Sequence, residues 1–427
     1  MIKRGRTRRI FAWSVFGLTA GLAIALWIYI NYAIPDHLNL IIREEEVFEI
    51  ALPPGITFES DYEEVMLGNT SNIPEGKVKI QPAAPITMYG TTEGIYHIEM
   101  KLFGLIDMKD IEVNVGSDRY ATPCGTPIGI YLKSDGIMVI GTGEIINEAG
   151  NPVEPAFGIL KSGDYIESAN GLKLETKDDL IETVNTCNGE SVQMVVRRNG
   201  NLLNLEVEPV QAEDGSYKLG AWVRDDTQGI GTMTYVTEDH SFGALGHGIS
   251  DSDTGQLVAV EDGELYETEI LGIEKGKSGN PGVMSGVIYY GPGTKLGEVT
   301  ANAEEGIFGT VNAEFRSQME SEPIPIGFRQ DVKKGAAVIR SSVSGEVKDY
   351  AIEIQRVDHA SLQKNKGMTI KVVDEELLEL TGGIVQGMSG SPVIQNGRIV
   401  GAVTHVLVND PTRGYGIFIE NMLEAAK

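Results

Sequence analysis

The chain of 427 residues carries 35 basic against 61 acidic side chains, a formal charge of −26. That balance excludes nucleic acid as a partner, because phosphate recognition needs clustered Lys and Arg. The length supports about two to four domains, and the 52 glycines fit a β-rich architecture full of turns.

Residues 1–9 form a basic segment containing Lys3, Arg4, Arg6, Arg8 and Arg9. Residues 10–34 are free of charge and, as a helix, would reach about 37 Å, enough to cross a bilayer. The basic flank predicts a cytoplasmic N-terminus and an exported body. Trp27, Tyr29 and Tyr32 occupy the far end, where a cleaved signal peptide would carry small residues, so a retained signal anchor is the preferred reading.

Residues 36–115 read as a small β-rich membrane-proximal domain, with strands expected in KVKIQP, ITMYG, YHIEMKLFG and DIEVNVG. Residues 116–210 change rhythm. TPIGIYLKSDGIMVIGTGEI predicts two strands around Ser134-Asp135-Gly136, and Thr176 is an N-cap for the helix KDDLIETVN. The segment AFGILKSGDYIESANG resembles the PDZ domain in its bacterial, permuted arrangement. PDZ domains bind an extended peptide by strand addition. By that resemblance the groove opens at Pro127, Ile128, Gly129 and Ile130, whose amides would take a terminal carboxylate. Cys124 and Cys187 match no zinc spacing and leave open both a disulfide and two isolated thiols.

Residues 211–427 form the remaining domain, whose short strands punctuated by Gly and Pro predict closed β-barrels. Its centre is Gly387-Met388-Ser389-Gly390-Ser391-Pro392, followed by two strand-like runs joined at Asn396-Gly397, a strong hairpin signal. Flanking glycines let the backbone turn tightly around Ser389, the candidate nucleophile, and aim the amides of Gly387 and Ser389 at one oxyanion. The stretch resembles the nucleophile hairpin of chymotrypsin-like serine peptidases. The resemblance implies a pocket-lining strand at 414–419, a closing helix near 421–426, and a substrate-aligning segment at Thr404, His405 and Val406.

A general base must be accessible and near the nucleophile. His247, between Gly246 and Gly248 and ahead of Ser389 in the chain, fits best; His240 reads as part of a solvated turn and His359 has no comparable setting. For the acid that orients the base, the residues alone leave Asp374, Asp251, Asp253 and Asp262 open.

The basic-flanked anchor, the PDZ-like stretch, LGHGISD and GIVQGMSGSPVIQNGRIVGAVTHVLVNDPTRGYG together resemble the stage IV sporulation protein B peptidase family. That resemblance implies a chymotrypsin-like double β-barrel, a catalytic Ser389 and His247, and Asp374 as the acid. No metal or organic cofactor is implied. It further implies a protein made in the forespore, exported across its inner membrane and self-cleaving, with release by that cleavage. Its substrate would be a membrane-associated inhibitor of an intramembrane protease that processes sigma factor K, and its PDZ-like domain would hold the target or a second copy of the chain. The rival reading is a non-catalytic PDZ-type tether at the membrane.

Overall fold

Two closed rings, each of six antiparallel strands, organise the chain. The structure is a computed structural model that describes residues 2–48, 55–60, 65–67, 86–117, 119–359 and 361–426. The first ring comprises Pro127–Thr142, Ala221–Val236, Ser241–Ala244, Val260–Tyr266, Lys295–Ala303 and Gly306–Val311. Counted in chain order, its strands run one-two-three-six-five-four and back to one. The second ring comprises Gly335–Ser341, Lys348–Val357, Met368–Val372, Pro392–Gln395, Arg398–Leu407 and Asp410–Phe418. It closes in the same order.

Period-two alternation fills both interiors. Ile128, Ile130 and Leu132 point into the first core with Phe242 and Ile307. Ile339, Ile352, Ile354 and Ile370 pack with Val393 and Val403 in the second. Burial of each such side chain contributes about 1.5–3 kcal/mol.

The first two strands of the first ring are 16 residues each, longer than that ring needs. Their outer halves leave it and found a second sheet. Met138 and Ile137 pair with Tyr165 and Ile166, while Ala221 to Arg224 pair with residues 142 to 138. Val192–Arg198 and Asn201–Val207 extend this sheet. Helix Lys177–Thr186 starts at Thr176 with a capping box closed by Asp179, as expected. It buries Leu180 and Val184 against Ile137, Val139 and Val192.

Three expectations change here. The segment around Ser134-Asp135-Gly136 is not a hairpin turn but a bend within one strand, Pro127–Thr142, with Gly136 at φ +94°. The partner strand Ala221–Val236 follows that bend, so the chain bends rather than reverses. The first ring therefore draws a strand from before position 211, across the expected domain boundary. Pro127, Ile128, Gly129 and Ile130 are also not a peptide-binding loop. Gly129 and Ile130 pair with Ile230 and Gly229 on one side and with Tyr266 and Leu265 on the other, which leaves no free edge. The side chains of Ile128 and Ile130 are buried.

Ahead of the rings, His37–Ile41, Ile106–Gly116, Gly94–Leu102 and Ile56–Ser60 form a four-stranded sheet in that order. The expected strand in KVKIQP lies outside the described residues. Asn39 and Gln330 tie this sheet to the turn at 329–331 that leads into the second ring, with Asn39 N donating to Gln330 Oε1 at 3.0 Å. Helix Ile2–Ala33 precedes the sheet, and its Ile30 is buried against it. Side chains at 2–12, 14, 19, 32 and 33, Tyr32 among them, lie outside those described. Among the described residues, no helix is long and apolar enough to cross a membrane. Cys124 and Cys187 are both free thiols, and burial pushes the Cys124 thiol up to about 12.

Closure of the first ring depends on close approach of its fifth and sixth strands. A Cβ on Gly309 would lie 1.9 Å from the Glu298 carbonyl oxygen, whereas one on Gly272 would meet nothing within 4 Å. Gly309→Ala should therefore destabilise the protein by about 1–3 kcal/mol or more, and Gly272→Ala should be close to neutral. Thermal unfolding of the two variants side by side checks this; equal midpoints would rule out the packing described.

Candidate active site

The turn at 386–391 leads into the fourth strand of the second ring. Asn396 and Gly397 close the following hairpin with φ values of +51° and +75°, the left-handed pair such a two-residue turn requires. Within the turn, Gln386 N donates to Gly282 O, Met388 N to Val385 O, Gly390 N to Val403 O and Ser391 N to Met388 O. Among the described residues, the amides of Gly387 and Ser389 have no protein acceptor. The chain thus satisfies every other amide of the turn and leaves open the two expected to hold an oxyanion. Gly387 and Gly390 sit at φ +104° and +98°, and a Cβ on Gly390 would lie 2.0 Å from the Thr232 carbonyl oxygen. Here the glycines are dictated by both backbone angle and space.

The Ser389 hydroxyl donates to the Thr404 carbonyl at 2.6 Å. Residues 404 and 405 form a bulge against the sixth strand, because Val403 pairs with Gly416 and Val406 with Gly414. The neighbouring His405 ring lies 5.0 Å from the His247 ring. His247 follows the third strand of the first ring, past Leu245 and Gly246, both in the left-handed region. Ser389, His247, Gly387, Thr404 and His405 are therefore gathered where the two rings meet.

The imidazole of His247 is fixed by its own chain. Its Nδ1 lies 2.9 Å from Gly248 O. A carbonyl can only accept, so Nδ1 carries the proton and Nε2 is left as the base. Burial lowers the His247 pKa, and the Gly248 carbonyl partly opposes that. His405 is pushed down to about 4 by burial, then by His247 and by Lys366. Its Nδ1 is buried without a partner.

Asp374, expected as the acid by resemblance, is not brought to the imidazole. It caps helix Glu375–Thr381, with Oδ1 accepting from Leu377 N at 3.0 Å and Oδ2 from Ala351 N at 3.2 Å. Nor do the alternatives reach His247. Asp251 is buried against Arg224 and accepts from Thr254 N at 2.8 Å, Asp253 pairs with Arg224 at 2.9 Å, and Asp262 is exposed. Glu305 lies at the hairpin beside Gly248, whose amide donates to Glu304 O, but its carboxylate pairs with Lys364 at 2.7 Å. The rival histidines lie apart: His240 belongs to a turn with φ +68°, and His359 stacks on Phe418.

Sequence reasoning missed Thr232. Its amide donates to Ser389 O at 3.1 Å, and its hydroxyl to Gly387 O at 2.7 Å. It also missed a groove of about 410 Å³ between helix Lys177–Thr186 and residues 216–223. Leu180, Ile181 and Val184 line one wall, Leu219 and Trp222 the other, with Gly143 at one end. The signal was present as Lys218-Leu219-Gly220-Ala221-Trp222, a glycine turn leading into a strand opposite an amphipathic helix.

Residues 215–423 match the family model described as SpoIVB peptidase S55. Among solved structures, the chain is similar to the PDZ domain of the SdrC-like protein from Listeria monocytogenes, at 16% identity over 21% of this chain and 87% of that one, with a TM-score of 0.18. It is also similar to the active form of the Rv3671c protease from M. tuberculosis, at 17% identity over 47% of this chain and 74% of that one, with a TM-score of 0.24. Mainly β and built on two six-stranded rings, the chain matches over residues 215–423 the SpoIVB peptidase S55 family and is a serine peptidase.

Proposed function

We propose that this serine peptidase is a membrane-anchored, self-cleaving endopeptidase with a chymotrypsin-like double barrel. Its target is a membrane-associated regulatory protein whose cleavage activates sigma K processing between the sporulation compartments. The observation that carries the chemistry is the pair of open amides at Gly387 and Ser389, beside a hydroxyl and an imidazole. Ser389 Oγ attacks the scissile carbonyl as His247 Nε2 takes its proton. The two amides hold the oxyanion, His247 returns the proton to the leaving amine, and water then hydrolyses the acyl-enzyme. The identical strand order of the two rings, with the base on one and the nucleophile on the other, supports the double-barrel assignment.

The anchor rests on the apolar surface of helix Ile2–Ala33, where Trp13, Phe16, Leu18, Leu22 and Ile24 are exposed. With the basic segment ahead of it, the N-terminus lies in the forespore cytoplasm and the body between the two membranes. The groove beside helix Lys177–Thr186 supports peptide binding by the PDZ-like region, either of a membrane partner or of a second copy. That groove is also the observation favouring a purely tethering protein.

Labelling with a fluorophosphonate probe separates the two readings. The wild-type chain should label at one site, and Ser389→Ala should abolish both labelling and self-cleavage while leaving the chain folded, as circular dichroism would check. A folded wild-type chain that does not label would favour the tether.

The pH dependence follows from the His247 shift. The base must be neutral to act, and burial lowers its pKa below the ordinary 6.5. The labelling rate should therefore hold down through pH 6.5 and fall only below it. An acid limb centred above 6.5 would contradict the buried, carbonyl-bound imidazole.

A further inference from the structure

Thr232 sits where the base loop and the nucleophile turn meet, and every polar group it has is committed there. Its amide donates to Ser389 O at 3.1 Å, and its carbonyl accepts from Leu245 N, two residues before His247, at 3.2 Å. Its hydroxyl donates to Gly387 O at 2.7 Å. The side chain is 2% exposed, so no water replaces these bonds.

The geometry points to Thr232 as a positioning residue for catalysis, one that sets the oxyanion amides through the carbonyls beside them. A peptide unit is planar, so fixing the oxygen of Gly387 fixes the 387–388 plane, and fixing the oxygen of Ser389 fixes the 389–390 plane. The opposite ends of these units are held too, by Met388 N on Val385 O and Gly390 N on Val403 O. With both flanking planes locked, the 388–389 unit that carries the Ser389 amide has little freedom to rotate away from the cleft. The Gly387 amide lies just before the first locked plane. Gly387 needs this help most, since a glycine at φ +104° has the widest backbone freedom of any residue. Through its carbonyl, Thr232 also holds the base loop in register with this turn. It touches neither substrate nor the reacting atoms.

The backbone contacts do not depend on the side chain at 232 so long as it is not proline, so the hydroxyl is the part that can be tested. Thr232→Val keeps the β-branched shape and removes the donor, leaving the Gly387 carbonyl without its buried partner. Misplacement of an oxyanion donor typically costs orders of magnitude in rate. In the full-length chain, the maximal rate of fluorophosphonate labelling at Ser389 should fall about 10- to 100-fold, with the half-saturating probe concentration within about threefold of wild type. Thr232→Ser, which restores the donor, should recover the rate to within about threefold, a rescue that loss of packing alone would not give. Should Thr232→Val not fold, Thr232→Ala against Thr232→Ser provides the same contrast. The inference is overturned if the donor-less variant labels within threefold of wild type, or if Thr232→Ser is as slow as Thr232→Val. Wild-type labelling at Ser389 tests the peptidase reading separately, so failure of one is distinguishable from failure of the other.

Discussion

Two barrels that share no strand must present their reacting groups to one point, and the contact between them has to be specific to a fraction of an ångström. In this protein that contact is mainly backbone to backbone, with one side-chain bond from Thr232 to Gly387 O, and is centred on the second strand of the first ring. The Thr232 amide meets the Ser389 carbonyl, and Gly390 packs so closely on the Thr232 carbonyl that no side chain fits between. Main-chain hydrogen bonds suit this task better than side chains, because no rotamers have to be frozen to form them. The glycines around Ser389 thus have two roles. They permit the turn, and they permit the neighbouring barrel to approach it.

The same strand, Ala221–Val236, begins as a wall of the apolar groove and ends at the nucleophile turn. Its pairing with Pro127–Thr142 runs from Ala221 to Thr232, with two register shifts on the way. One strand pair therefore joins the sheet beside the groove to the first ring. A linker would let the two regions move independently. Paired strands do not, so the orientation of the groove relative to the cleft is fixed by the fold.

What could be read from the sequence was local. Asn396-Gly397, Thr176 and the glycines around Ser389 each act within a few residues, and each was found where expected. What could not be read was pairing across long separations. Residues 127–142 look like a hairpin because Ser134-Asp135-Gly136 is turn-forming, and only the partner strand some ninety residues later makes them continuous. The apolar groove between helix Lys177–Thr186 and residues 216–223 went unseen for the same reason. Asp374 is a different lesson. Asp374-Glu375-Glu376-Leu377-Leu378 has the form of a helix start, an acidic cap followed by acids in the first turn, and the structure uses it so. Local chemistry there pointed away from the role the resemblance implied.

The resting arrangement of the site follows from which acceptors are free. Without a carboxylate at Nδ1, the Gly248 carbonyl alone selects the tautomer. A carbonyl carries only a partial negative charge, so it fixes the ring as firmly as an acid would but stabilises the imidazolium less. The neighbouring His405 stays neutral at working pH and adds no opposing charge. The Ser389 hydroxyl meanwhile rests on the Thr404 carbonyl rather than on the base. Rotation about one side-chain torsion moves it, at the cost of a hydrogen bond that contributes about 0.5–1.5 kcal/mol. The Thr404 carbonyl lies in the bulge at 404–405, on the segment along which a substrate strand would pair. On that reading an arriving backbone N–H would compete for the same oxygen and weaken the bond that holds the hydroxyl away. Under the mechanism proposed above, the arriving strand would itself free the Ser389 hydroxyl from this carbonyl, with no separate lock required.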